Sequence, residues 1–428
     1  MNGSSLRYKT KNEKMANYNN IISHYIWDNF KGTSYSLFWT SIVVYSLGFL
    51  FYISEHVISQ LCLLAMGFGI IGIGLSLISL TRLSITNSYF RSVFIIFMFW
   101  QIYIIVRGIQ EFNQPMLLSM FFSPYFFLHY LVPLIILIPA NIFFVKRMFN
   151  FFYFLSISLF IVFVFFTNDV LFTNPSFSEQ MVWTLGTGAG FLLLTWYYHN
   201  NKIRFIAFIT VIFCFAISTI IARRNIMITF GNFIVFAMII VILSYRQSIR
   251  SKIYILTSII LMGVFSYIIF IKYQEMVFQK ITGHITENTR EIVFNAFFKD
   301  MSTKDLVIGK GFLGRYYCPG AEKGVDNRFL IESGYLQTIL KGGIVSLVLF
   351  LLIAIPAAYL GIIKSKNILS KASGCIVILW LIDMVPWGMP AINIRYILVW
   401  TCIGICYSKV VRNLTEAEIK NSLLIFAK

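Results

Sequence analysis

The residues in this sequence best suited to chemistry are arginines: Arg107, Arg223, Arg224, Arg290, Arg315, Arg328 and Arg395. Each stands at the end of an apolar stretch or in the one long polar stretch between such stretches. Arginine rather than lysine suits bidentate recognition of phosphate or carboxylate at a partly dry site, because its planar guanidinium presents a fixed fork of donors. Taken singly, each is equally well explained by snorkelling to headgroups or by pairing with Asp or Glu. Taken as a set, they point to an outward-facing anion-binding cavity. Beside them Asp326, Asn327, Arg328 and Glu332 cluster just ahead of an apolar run. There Glu332 or Asp326 could act as a general base or orient a hydroxyl; a cap for the following helix explains the cluster equally well. His284, the only histidine of the long polar stretch, is the reserve base. No D-x-D or His-rich cluster lies near these residues, so neither a metal nor another cofactor is expected.

The elements that must position them are membrane spans. Of 428 residues, 58% are hydrophobic and 12% charged, with a mean hydropathy of +0.78; soluble domains are about one-quarter charged. A span takes about 20 mostly apolar residues, and about twelve stretches qualify on a sliding window. They are 37–54, 57–80, 91–106, 118–145, 148–166, 180–197, 204–222, 226–244, 253–271, 335–363, 373–390 and 392–408. The expectation is an all-α polytopic membrane protein with one large extracytoplasmic loop. Its divisions are a cytoplasmic N-terminal segment 1–36, a transmembrane bundle 37–272, the outer loop 273–334, C-terminal spans 335–408 and a cytoplasmic tail 409–428. Five of six cysteines fall in apolar runs and Cys318 in a polar loop, with no metal-ligand spacing; no disulfide framework is expected.

A net charge of +18 would suit nucleic acid, but in a membrane chain the position of each cation matters more than the sum. Alternate connections carry Arg82 and Arg91, Lys146 and Arg147, Lys202 and Arg204, Arg246, Arg250 and Lys252, then Lys364, Lys366 and Lys371, and the tail adds Lys409 and Arg412. The intervening stretch 167–179 holds Asp169 and Glu179 and no Lys or Arg. The positive-inside rule then puts both termini in the cytoplasm and the arginine set outside, which leaves nucleic acid without a role. The basic head with Arg7, Lys9, Lys11, Lys14 and Lys31 lacks an A-x-A site, so no cleaved signal peptide is expected.

In the outer loop, residues 286–301 place Val293, Phe294, Phe297, Phe298 and Met301 at helical period. Thr286 is the expected N-cap, and the helix should lie as an amphipathic lid on the bundle or the membrane surface. Gly309, Gly311 and Gly314 spell G-x-G-x-x-G, but no βαβ unit surrounds them, so they read as tight turns and not as a dinucleotide fingerprint. Gly342 and Gly343 permit close helix approach or a local break.

Three successive stretches resemble the bacterial O-antigen polymerase and ligase superfamily. They are R-x-x-x-F at Arg290 to Phe294, G-x-G at Gly309 to Gly311, and a polar step leading into L-x-x-x-G and G-G-I between Asp326 and Ile344. Arg223 and Arg224 resemble that family's arginine at the outer end of a central helix, and Arg395 its late arginine. The resemblance covers most of the chain in layout and about 288–344 in motif. It implies a multi-spanning glycosyltransferase (GT-C-like) fold and a polymerase acting on undecaprenyl-pyrophosphate-linked glycan donor and acceptor at the outer face of a bacterial inner membrane. Membrane lipids are then partners, and the resemblance admits a chain-length regulator. Ligases of the superfamily have a histidine at the polar step; Asp326 and Asn327 stand there here, which favours a repeat-unit polymerase over a ligase. Pyrophosphate contacts fall first to Arg223, Arg224 and Arg290, then to Arg107, Arg328 and Arg395. A lipid-linked oligosaccharide flippase is the main rival, although no internal repeat is seen. A surface-sugar acyltransferase ranks lower, because it should place a catalytic His within or near a span on a consistent face, and His56, His129 and His199 lie at or near helix ends.

Overall fold

In hydrocarbon every backbone N–H and C=O must be bonded within its own segment, so apolar stretches of span length fold as helices. The computed structural model describes residues 32–54, 57–81, 85–109, 121–221, 223–243, 289–319 and 325–425. Seven helices among them are long and apolar enough to cross a membrane: Gly32–Ser54, Ser59–Leu80, Ser88–Ile109, Ile142–Phe165, Asn201–Ile220, Arg224–Val241 and Gly334–Ile362. Shorter apolar helices, Ile368–Asp383 and Ile394–Tyr407, follow. A continuous helical run also passes from Pro175–Met181 through a π turn, Val182–Gly186, into Thr187–Leu194. Apart from a two-stranded ribbon, the described residues form no sheet. Leu61, Leu64, Phe68, Ile71, Leu75 and Ile78 of one helix are exposed, a face that only a membrane or another apolar surface would solvate. The chain is a membrane-embedded, all-α protein.

Several boundaries depart from the sequence reading, among them the expected span 373–390, which is the helix Ile368–Asp383, capped by Asn367. The stretch 118–145 is not one span. A 3-10 helix, Phe127–Leu137, contains Pro133, and an irregular step at Pro139 precedes Asn141, whose side chain accepts from Phe144 N and starts a new α-helix. Proline removes a donor and crowds the preceding turn, and that outweighs the apolar composition. Likewise the stretch 180–197 begins earlier, at Pro175, because Asn174 caps Phe177 N and Pro175 occupies the first turn. The segment 1–36 loses its last residues to the first helix, which starts at Gly32. The rest of that segment, the span 253–271, Arg82, Arg246, Arg250, Lys252, His56, His284 and Thr286 lie outside the described residues, as does the side chain of Arg290.

Connections that alternate along the chain gather at two ends of the bundle. At one end Ile368 N donates to Glu416 Oε1 at 2.7 Å, Tyr198 donates its hydroxyl to Glu416, and Asn367 Nδ2 donates to Val411 O at 2.8 Å. At the other, Ile392 N donates to Pro124 O and Gly334 N to Met384 O, both at 2.8 Å. The Ile368–Asp383 helix joins the two sets, about 24 Å apart at 1.5 Å per residue. The tail is docked rather than loose: Ile419, in the helix Glu416–Ile425, is fully buried.

The amphipathic segment folds as the helix Thr289–Asp300. Val293, Phe297 and Met301 are buried with Tyr316, Cys318, Ile331 and Leu340, so Cys318 is a core thiol despite its polar neighbours; Phe298 stays exposed. Beyond it the glycine turn plugs a break in the Gly334–Ile362 helix. Gly343 has φ 70° there, which interrupts the helical ladder. The freed carbonyls are met from outside the helix: Lys310 N donates to Leu340 O at 2.8 Å, Gly311 N to Lys341 O at 2.9 Å, and Trp100 Nε1 to Gly342 O at 2.8 Å. Gly309 and Gly311 also have positive φ. A Cβ on Gly343 would sit 2.0 Å from Val307 O, so backbone meets backbone at this joint.

Candidate functional site

The arginines singled out from the sequence fall into two groups, one around Arg223 and Arg395 and one around Arg107 and Arg328. In the first, Arg223 closes the Asn201–Ile220 helix through a bond from its N to Ser218 O, and its carbonyl accepts from Ile226 N and Met227 N at the start of the next. Its Nε stands 3.4 Å from Glu179 Oε2. Glu179 also faces Trp183 Nε1 at 3.5 Å, and Trp183 lies under the guanidinium of Arg395, 4.1 Å from ring centroid to Cζ. Arg395, nine-tenths buried, is sandwiched by Trp380 at 4.9 Å and bonded to Asp383 Oδ2 at 2.5 Å. Thr229 donates to the other Asp383 oxygen at 2.8 Å. Tyr125 borders this group; burial and the Glu179 carboxylate push its phenol up to about 12. Arg224 is exposed.

In the second group Arg107 bonds Asp305 Oδ1 at 3.0 Å and the Tyr103 hydroxyl at 3.1 Å. Lys310 bonds Asp300 at 2.6 Å. Arg328, on the short strand Asn327–Arg328 that pairs with Tyr316–Tyr317, stands 3.8 Å from Glu332 Oε1. Burial raises the Tyr316 phenol to about 12 although Arg328 beside it pulls the other way. Phe126 stacks on Phe329 at 4.3 Å, and Ser333 Oγ donates to Met384 O at 3.3 Å, which ties the segment carrying Arg328 and Glu332 to the neighbours of Tyr125 and Asp383.

The pairing explanation therefore holds for Arg107, Arg223, Arg328 and Arg395 individually, each of which faces a carboxylate. Pairing does not exhaust them, since a guanidinium has five N–H donors and one carboxylate takes at most two. Helix capping does not account for the acidic cluster. The Gly334–Ile362 helix begins at Ser333 without a side-chain cap, and the Met384 carbonyl receives its first N–H. Asp326 is exposed and uses its backbone carbonyl to accept from Cys318 N at 2.7 Å, whereas Glu332 is half-buried. Of these two, Glu332 is the less exposed and the one that stands beside Arg328.

Sequence reasoning missed Lys341. It is buried in the broken helix, with Nζ 2.7 Å from Gly314 O and 3.3 Å from the Phe329 ring centroid. An ionisable residue inside an apolar run was the available signal. It missed Asp383 and Asp305 as the carboxylates that hold Arg395 and Arg107, because both partners are remote in sequence. Among the described residues no group of three or more His, Cys, Asp or Glu could hold a metal. A scan against protein-family models and searches of curated proteins and of solved structures find no match, so the functional reading rests on these residues and their arrangement.

Proposed function

We propose that the protein is a polymerase of polyprenyl-pyrophosphate-linked oligosaccharide repeat units, working at the outer face of a bacterial inner membrane. The observation that supports the reading is that Arg107, Arg223, Arg328 and Arg395 each face a carboxylate, which holds a guanidinium in place and leaves it N–H donors to spare. A glycosyl pyrophosphate already has a good leaving group, so the task is to stabilise the departing charge and to place the acceptor. In the proposed step an acceptor hydroxyl attacks the anomeric carbon and gives its proton to Glu332. The bond from that carbon to the pyrophosphate oxygen breaks, and the electron pair leaves with the pyrophosphate. Guanidinium N–H donors of Arg223, Arg224 and Arg290 receive that oxyanion, with Arg107, Arg328 and Arg395 behind them. A donor already held in place, as Arg223 is by Glu179, acts at little cost of reorganisation.

Alanine at Arg223, Arg224 or Arg290 is expected to abolish chain elongation while the protein still inserts normally; full-length polymer from each variant would sink the assignment. Deleting the gene and running surface polysaccharide on a gel separates the rivals. One repeat unit per acceptor supports the polymerase. Loss of all surface glycan indicates a flippase, and free polymer not joined to lipid A indicates a ligase.

A further inference from the structure

At the end of the bundle away from the arginine groups, a groove of about 310 Å³ opens between three elements. One is the start of the Ser88–Ile109 helix and another the finish of Ile394–Tyr407, the two helices whose other ends carry Arg107 and Arg395. Phe90 and Arg107 are about 26 Å apart along the helix axis at 1.5 Å per residue, so the groove is no part of the site described above. The third wall is the interrupted stretch Ile136–Ala140, where the 3-10 helix stops and the backbone turns extended at Ile138. Phe90 stacks on Tyr407 at 3.8 Å and sets the two helix ends side by side. Gly404 leaves space open here: a Cβ on it would meet nothing nearer than Ile136, at 4.0 Å.

The lining sorts by polarity. Ile85, Phe90, Ile136, Leu137, Pro139 and Val410 make most of it apolar, and Val410 is three-quarters exposed. Apolar walls give water too few partners to order it, and at the ends of membrane-spanning helices the molecule at hand to fill such a groove is a lipid chain. The polar remainder is Thr86, Asn87, Ser408 and Lys409, with no Asp or Glu among the described lining residues. Asn87 Oδ1 accepts from Phe90 N at 2.9 Å and Ser408 Oγ from Val411 N at 3.3 Å. That leaves an amide NH2 and a hydroxyl hydrogen free to donate on the same groove as the Lys409 ammonium. Donors and one cation without a carboxylate match a head group of net negative charge.

We infer that this groove is a binding site for an anionic phospholipid, with an acyl chain between Ile136, Pro139 and Gly404 and the phosphate head group at Asn87, Ser408 and Lys409. The site does not depend on the reading proposed for the arginine groups. The test uses full-length protein in a mild detergent, titrated with phosphatidylglycerol or phosphatidylcholine and read by native mass spectrometry. The native protein should retain one phosphatidylglycerol about fivefold more tightly than phosphatidylcholine, the preference one lysine near a head group supplies. Gly404→Leu fills the groove and should weaken retention of both lipids about tenfold, the loss of contact with a couple of methylenes. Leucine favours a helix over glycine, so this variant should melt no lower than the native chain. Lys409→Gln, at an exposed position, should erase the preference for phosphatidylglycerol, and Lys202→Gln, exposed on another helix, should change nothing. Because it leaves the core untouched, Lys409→Gln keeps the test decisive even if Gly404→Leu melts lower. No retained phospholipid, the result if the chain itself fills the groove, overturns the site. So does a preference for phosphatidylglycerol that survives Lys409→Gln, retention undiminished in Gly404→Leu, or displacement of the phospholipid by a polyprenyl phosphate.

Discussion

At the scale of single residues, pairing with a carboxylate, one of the explanations the sequence offered for the arginines, is found for four of them. Arg395 is the clearest case, a buried cation between two indoles whose charge is met by Asp383, itself bonded by Thr229. Breaking a buried pair leaves one charge unmet and costs about 3–5 kcal/mol, whereas replacing both partners with apolar groups is near neutral. Asp383→Ala is therefore expected to lower the melting temperature of the purified protein by a loss of that size, and the double variant Asp383→Leu, Arg395→Met to recover most of it. A single variant that melts like the native chain would show that the pair does not stabilise the fold. The cationic half of each pair was legible as an exception to the charge rule. The acidic half was not, because Asp305 and Glu179 look like ordinary loop residues until the fold brings them to Arg107 and Arg223.

At the scale of elements, the joint between the glycine turn and the broken helix fixes the outer segment to the bundle. Two chains of backbone meet there with no room for a side chain: Gly311 lies against Gly108, and Gly343 against Val307. A left-handed conformation costs a non-glycine residue roughly 1–2 kcal/mol, and the clash adds to it. Gly343→Ala and Gly311→Ala should each release the outer segment and make residues 289–319 sensitive to limited proteolysis while the bundle stays folded. Unchanged proteolysis would mean that the joint is dispensable. Apolar length and period made the helices legible, and the glycine pair announced either a close approach or a break. The structure has both at once. The interruptions at Pro139 and Asn141 were missed because a window average of hydropathy cannot see a missing donor.

At the scale of the whole molecule, the bundle has two chemically different ends, and the positive-inside rule predicts which faces outward. All six native cysteines are buried, so introduced thiols can be read against a quiet background. In intact cells Lys304→Cys, at an exposed position of the outer segment, should react with a membrane-impermeant maleimide. Lys409→Cys, exposed at the opposite end, should react only after permeabilisation. The reverse pattern would invert the site and remove the proposed substrate from its reach. Composition and apolar spacing by themselves determined that this chain is helical and membrane-embedded, because hydrocarbon tolerates few alternatives. Only the tertiary structure decided which carboxylates hold Arg107, Arg223 and Arg395, and that Lys341 is buried in a broken helix against Gly314 and Phe329. Those contacts join residues far apart in sequence, and helical period carries no information about which faces will meet.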